Sequence, residues 1–290
     1  MDELAPLPSS PSADRGDPTT AAASAGQAAP QVRRTARGRP TWSAYVPPQH
    51  GAWAFLVVPV MAGFAVSGTS RAGWVFGLAW VCAYPVGYFG GRALTARLRR
   101  GSWTRRARRE LGRAVPWALA TAALGVPLMA TRPWLLAAAA VLMILWTAGL
   151  RVASDRGERS LANDLLLIGQ AVVAVPLTVG VVAGLPELSG SLAGATLTCT
   201  AVVAAYLSGS VLHVKSLLRE AGVKGYRVAN LAWHGAALAG TAPLSPWWLL
   251  GFIPALLRAV VLRPGLRPAV IGGIEAVVAV LFTVSAFGAM

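Results

Sequence analysis

From about residue 50 the chain alternates long apolar runs with short polar connections. Nine runs stand out, at 51–68, 73–91, 114–130, 133–150, 163–184, 191–212, 227–241, 245–262 and 268–288. A helix rises about 1.5 Å per residue, so roughly 20 apolar residues cross about 30 Å of hydrocarbon, and most of the runs are long enough. In lipid every backbone polar group must be satisfied internally, and runs of this length do that as helices. The pattern therefore predicts an all-α polytopic membrane protein with about nine transmembrane helices. The third and seventh runs are the shortest. Pro59, Pro85, Pro127, Pro176 and Pro254 fall inside or near the ends of the runs, where kinks are expected.

Ahead of the first run, residues 1–45 are rich in Pro, Ala, Ser, Thr and Gly and turn from acidic to basic. No apolar stretch follows the start, so this segment reads as a disordered cytoplasmic tail rather than a signal peptide. Residues 46–290 are the expected nine-helix transmembrane domain.

Composition agrees with the pattern. The chain is 55% hydrophobic and only 13% charged, with mean hydropathy +0.57, against about a quarter charged in a soluble domain. The formal net charge of +15 raises nucleic acid as a partner, but the basic residues sit in short connections between apolar runs. Membrane orientation explains that placement, and no nucleic-acid partner is expected. Counted by region, the tail, Arg92–Arg113, Arg151–Arg159, Lys215–Arg227 and Arg258–Arg267 hold 24 of the 26 basic residues; Arg71 and Arg132 are the other two. With nine spans those five regions share one side. The positive-inside bias then places the N-terminus in the cytoplasm and the C-terminus outside. Arginine outnumbers lysine 24 to 2, a bias typical of GC-rich bacterial genomes, so a bacterial cytoplasmic membrane is expected. Cys82 and Cys199 both lie inside apolar runs and read as packing residues.

The unusual polar residues collect on the expected cytoplasmic side. His50 opens the first run, Arg92 closes the second, Asn163 and Asp164 start the fifth, and His213, Lys215 and Arg219 close the sixth. Lys215 and Arg219 are four apart and share a helix face. His234 lies inside the seventh run and Glu275 inside the ninth, eight residues beyond Arg267. Each has a plain structural reading: His50 an interfacial anchor, Asp164 a helix cap, Lys215 and Arg219 snorkelling cations, His234 a packed residue, Glu275 half of a structural ion pair. A carboxyl at the depth of Glu275 needs a partner or a proton, which makes it the hardest to set aside. No GxxxxGK[ST], HExxH, CxxC or GxSxG motif and no DxxxD pair for magnesium occurs, so no metal is expected and no cofactor is indicated.

PPQHGAW at Pro47–Trp53, YFGGR at Tyr88–Arg92, ERSLANDLL at Glu158–Leu166 and GSVLHVKSLLRE at Gly209–Glu220 together resemble the YwiC-like membrane protein family. The likeness covers roughly residues 45–285. Nine helices with polar ends on one side also resemble the UbiA-type prenyltransferase fold, whose members hold a prenyl diphosphate through magnesium and two aspartate-rich motifs. The corresponding places here carry Tyr88–Arg92 and His213–Glu220 without those aspartates, so no aspartate role carries over.

Three functional readings follow, with catalysis left open. In the first, Arg92, Asn163, Lys215, Arg219 and His234 line a cationic cytoplasm-facing pocket for an isoprenoid or lipid phosphate, and His50, Asp164, His213 and Glu275 do acid–base work. In the second, Glu275 and His234 serve a proton-coupled small-molecule transporter. A third, non-catalytic alternative makes the tail and the basic loops docking surfaces of a membrane scaffold.

Overall fold

The computed structural model describes residues 42–48, 52–156 and 160–290. The expected tail up to residue 41, His50 and Glu158 lie outside these residues. Among the described residues the regular structure is entirely helical. A 3₁₀ turn at Trp42–Tyr45 precedes α1 (Ala52–Ser67), α2 (Arg71–Arg100), α3 (Arg105–Thr131), α4 (Trp134–Arg156), α5 (Leu161–Val172), α6 (Ala174–Val182) and the short α7 (Leu185–Ser189). Then come α8 (Ala193–Val214), a π turn at Lys215–Arg219, α9 (Lys224–Thr241), α10 (Trp248–Val261) and α11 (Pro268–Ala289).

Each of the nine apolar runs falls on a helix, α5 and α6 together making the fifth. Six stretches are long and apolar enough to cross a membrane: α2, α3, α4, α5 with α6, α8 with its π turn, and α11. This is an integral, multi-pass membrane protein. The other three runs differ from the sequence expectation in length or polarity. α1 has 16 residues and α10 has 14, about 24 and 21 Å of rise. α9 opens on Lys224 and Arg227 and buries Asn230 and His234, which dilutes its apolar character.

Local chemistry sets the boundaries. Ser70 caps α2 by accepting from the Gly73 amide at 3.0 Å, and Thr104 caps α3 by accepting from Ala107 at 3.2 Å. Gly101, at φ +67°, ends α2 in the left-handed conformation that a residue without Cβ adopts freely. Proline acts at one place above all. Pro176 has no N–H for the carbonyl of Val172, and the fifth run breaks at Val173 into α5 and α6. Pro59, Pro85, Pro116, Pro127 and Pro254 instead sit inside continuous helices.

Close contacts show that successive runs alternate in direction. Cys199, early in α8, lies 3.7 Å from the Ala62 carbonyl near the end of α1. The end of α6 meets the beginnings of α2 and α4, at Val182 beside Gly73 and Gly180 beside Trp134. The end of α11 meets the beginning of α10, at Gly288 beside Trp247. Lys215 at the end of α8 pairs with Asp164 at the start of α5. One end of the bundle thus gathers the connections that follow α2, α4, α9's predecessor α8, and α10. Those connections are the arginine- and lysine-rich ones, while Arg71 and Arg132 lie at the other end.

The core is built around α1, α8, α10 and α11. Phe282 stacks on Tyr206 at 4.0 Å between centroids and meets Phe252 and Trp248 at 5.6 and 5.7 Å. Lipid tails are as apolar as these side chains, so packing rather than water exclusion holds such contacts together. By contrast only 11% of the apolar stretch of α3, and the same share of α4, is covered by other helices, which leaves most of both stretches on the outside of the bundle.

Candidate functional site

Polar side chains from four helices meet directly above this aromatic core. Ser210 and His213 come from the last turns of α8, Asn230 and His234 from α9, Arg258 from the end of α10 and Glu275 from the start of α11; all six are at least nine-tenths buried. Glu275 stands seven residues into α11, about 10 Å along its axis. One of its carboxylate oxygens takes the Ser210 hydroxyl and forms an ion pair with the Arg258 guanidinium. Arg258 also donates to the Ser210 oxygen at 3.5 Å. The other carboxylate oxygen lies 3.8 Å from Nε2 of His213.

The two histidines are differently arranged. Nδ1 of His234 faces the Asn230 carbonyl at 2.8 Å. A carbonyl only accepts, so Nδ1 carries the proton and Nε2 is the bare acceptor. Nδ1 of His213 faces the Asn230 side-chain amide nitrogen at 3.4 Å. That amide donates, which puts the His213 proton on Nε2, pointing at Glu275. The rings lie 6.3 Å apart. Gly209 makes room for the second: a Cβ there would sit 3.0 Å from Nε2 of His234.

Several atoms of this cluster have no hydrogen-bond partner among the described residues: Nε2 of His213, Nε2 of His234, Oδ1 of Asn230, Nε of Arg258 and Oε1 of Glu275. Buried polar atoms are satisfied in the great majority of cases, and those that are not mark places where water or a ligand binds. Here these atoms belong to residues of one cluster, and two of them, Nε2 of His213 and Oε1 of Glu275, lie 3.8 Å apart.

A second pair lies beside the cluster. The Lys215 ammonium, 4% exposed, sits 2.8 Å from Asp164 on α5. Asn163 is buried next to it, its amide nitrogen capped by Ser160 at 3.3 Å. The remaining expected site residues are elsewhere. Arg92 pairs with Glu110 of α3 at 3.7 Å, and Arg113 reaches the same carboxylate at 3.3 Å. Arg219 is exposed. The shared helix face of Lys215 and Arg219 does not give them a shared environment. Arg219 is one turn further along, where the π turn emerges from the packed helices.

The structure therefore brings His213, His234 and Glu275 together, joins Lys215 to Asp164, and puts Arg92 and Arg219 in separate surroundings. Sequence reasoning missed Ser210, Asn230, Arg258 and Glu110. Arg258 carried the clearest signal, since it interrupts the apolar run of α10 three residues before the helix ends.

Comparison with known proteins adds one finding. The model of the YwiC-like protein family matches residues 46–179, that is α1 through most of α6. Asp164 lies within the matched segment; the cluster on α8 to α11 lies beyond it. No curated protein and no solved structure matches.

Proposed function

We propose that this integral membrane protein is a proton-coupled transporter of a small polar solute, with Glu275 as the proton-carrying group. The arrangement of Glu275 carries the reading: a buried carboxylate bonded to a serine and paired with an arginine, with the Nε2 of one histidine 3.8 Å away and a second histidine next in line. Ionisable groups inside a membrane are costly, and chains of Glu and His are the usual proton relays there. Arg258 is the counter-charge of Glu275. When Glu275 takes a proton, that attraction weakens, and the guanidinium is released to a solute or to a rearranged partner. His213 carries an N–H and His234 a bare nitrogen, with the two rings 6.3 Å apart, the pair of groups needed to pass a proton or hold a polar solute.

The alternation of the helices supports placing their basic end in the cytoplasm, in a bacterial cytoplasmic membrane, with the N-terminus inside and the C-terminus outside. A lipid-phosphate site formed by Arg92, Lys215 and Arg219 has less support, because Arg92 and Lys215 already face carboxylates.

Proteoliposomes enclosing a pH-sensitive dye test the transport reading. A panel of small polar solutes is added outside, and at least one is expected to change the internal pH with wild type but not with Glu275→Gln. Identical traces for the two proteins with every solute would overturn it.

A further inference from the structure

A second feature lies at the basic end, away from the Glu275 cluster and independent of the transport reading. The last turns of α2 and the first turn of α3 enclose a cleft of about 180 Å³ lined by Arg92, Thr95, Arg99, Arg100, Thr104 and Arg106. Residues 92, 95, 99 and 106 show how it forms. The first three recur at helical spacing on one face of α2, and the tight turn at Gly101 folds the start of α3 back over that face.

The cleft carries four guanidinium groups and two hydroxyls and no carboxylate. From Arg92 to Arg113 the chain holds nine basic residues and one acidic residue, Glu110. Glu110 is taken up by Arg92 and Arg113. Among the described residues Arg99, Arg100 and Arg106 form no ion pair, so the positive charge facing the cleft is left unbalanced. Arg97 is turned aside onto the Trp103 ring, 4.7 Å from its centroid. Leu98, 72% exposed, and Trp103 sit at the same level, as apolar and amphipathic side chains do where a span leaves the hydrocarbon.

We propose that this cleft binds the phosphodiester headgroup of an anionic membrane lipid. Charge complementarity selects the anion, and planar guanidinium groups suit two-point hydrogen bonding to phosphate oxygens. Position selects the source: the cleft joins two helices long and apolar enough to cross a membrane, so it opens at headgroup level with lipid already alongside. Size agrees, since 180 Å³ is below the roughly 300 Å³ at which pockets enclose a drug-sized ligand. A headgroup fits and a whole lipid does not, leaving the acyl chains in the bilayer.

The test is native mass spectrometry of the full chain in neutral detergent, offered phosphatidylglycerol and phosphatidylcholine with the same acyl chains in equal amounts. Wild type is expected to retain one phosphatidylglycerol preferentially. Arg99→Ala/Arg100→Ala/Arg106→Ala should lower that retention at least about tenfold, since each arginine near the surface contributes separately. Arg227→Ala/Arg263→Ala/Arg267→Ala removes the same charge from other connections and should retain the lipid as wild type does. Three results would overturn the proposal: no preference for phosphatidylglycerol in wild type, undiminished retention in the cleft variant, or an equal loss in both triple variants, which would mark diffuse charge attraction. A thermal scan of each variant accompanies the measurement; because the three cleft arginines are outside the packed core, unchanged unfolding temperatures are expected.

Discussion

The Glu275 cluster and the α2–α3 end use the same residue types in opposite ways. In the cluster each charge is matched: Arg258 meets Glu275, and Lys215 meets Asp164. At the α2–α3 end a single carboxylate, Glu110, stands among nine arginines. Depth explains the difference. A charge surrounded by helices must have its counter-charge beside it, whereas an exposed one such as Arg99, Arg100 or Arg106 has solvent available. Inside, the position of each charge is specific and its loss is severe. Outside, the loss of one exposed charge should cost little stability.

The largest effect should come from breaking the inner pairing on one side. Glu275→Ala leaves the Arg258 guanidinium buried without its anion, at a cost of about 3–5 kcal/mol, read as a lower unfolding temperature in detergent. Replacing both members by apolar residues, Arg258→Met/Glu275→Leu, should recover most of that stability while abolishing any proton-linked activity. If Glu275→Ala were as stable as wild type, the two regions would not differ in the way described. Lys215→Ala comes next. Asp164 is 15% exposed, so part of its charge reaches solvent, and a loss of about 1–3 kcal/mol is expected in the same thermal measurement.

A smaller effect should follow from crowding the second histidine. In Gly209→Ala the new methyl group meets His234 and the adjacent Trp233 ring. About 1 kcal/mol of destabilisation is expected, together with a changed imidazole resonance in NMR of histidine-labelled protein. The smallest belongs to the outer region. Arg99→Ala or Arg100→Ala alone should shift stability by less than about 0.5 kcal/mol. A loss as large as that of Lys215→Ala would mean that the outer arginines are structural.

Much of this contrast was legible in the sequence. The helices long and apolar enough to cross a membrane could be read from apolar runs, because a membrane helix must show its length and polarity locally, whereas the short α7 falls between two runs. Glu275 was conspicuous for the same reason, as a carboxyl well inside such a run. Its partners were not. Arg258 lies 17 residues away and Ser210 65 residues away, and only the packing of α8, α10 and α11 brings them together. The opposite error arose with Lys215 and Arg219: helical spacing gives the shared face, yet says nothing about where neighbouring helices stop. One residue is buried against Asp164 and the other lies beyond the packed ends. The break at Val173 was foreshadowed by Pro176, while the other prolines show that a membrane helix can also accommodate the missing hydrogen bond without a break.

The most direct test of the proposal that Glu275 exchanges a proton within its cluster is infrared difference spectroscopy of the protein in lipid across an acid-to-alkaline titration. The account predicts a protonated-carboxyl band that appears on acidification, is absent from Glu275→Gln, and moves in frequency in His213→Gln because its neighbour is changed. A difference spectrum identical in wild type and Glu275→Gln would contradict it, showing that this carboxylate serves only as the fixed counter-charge of Arg258.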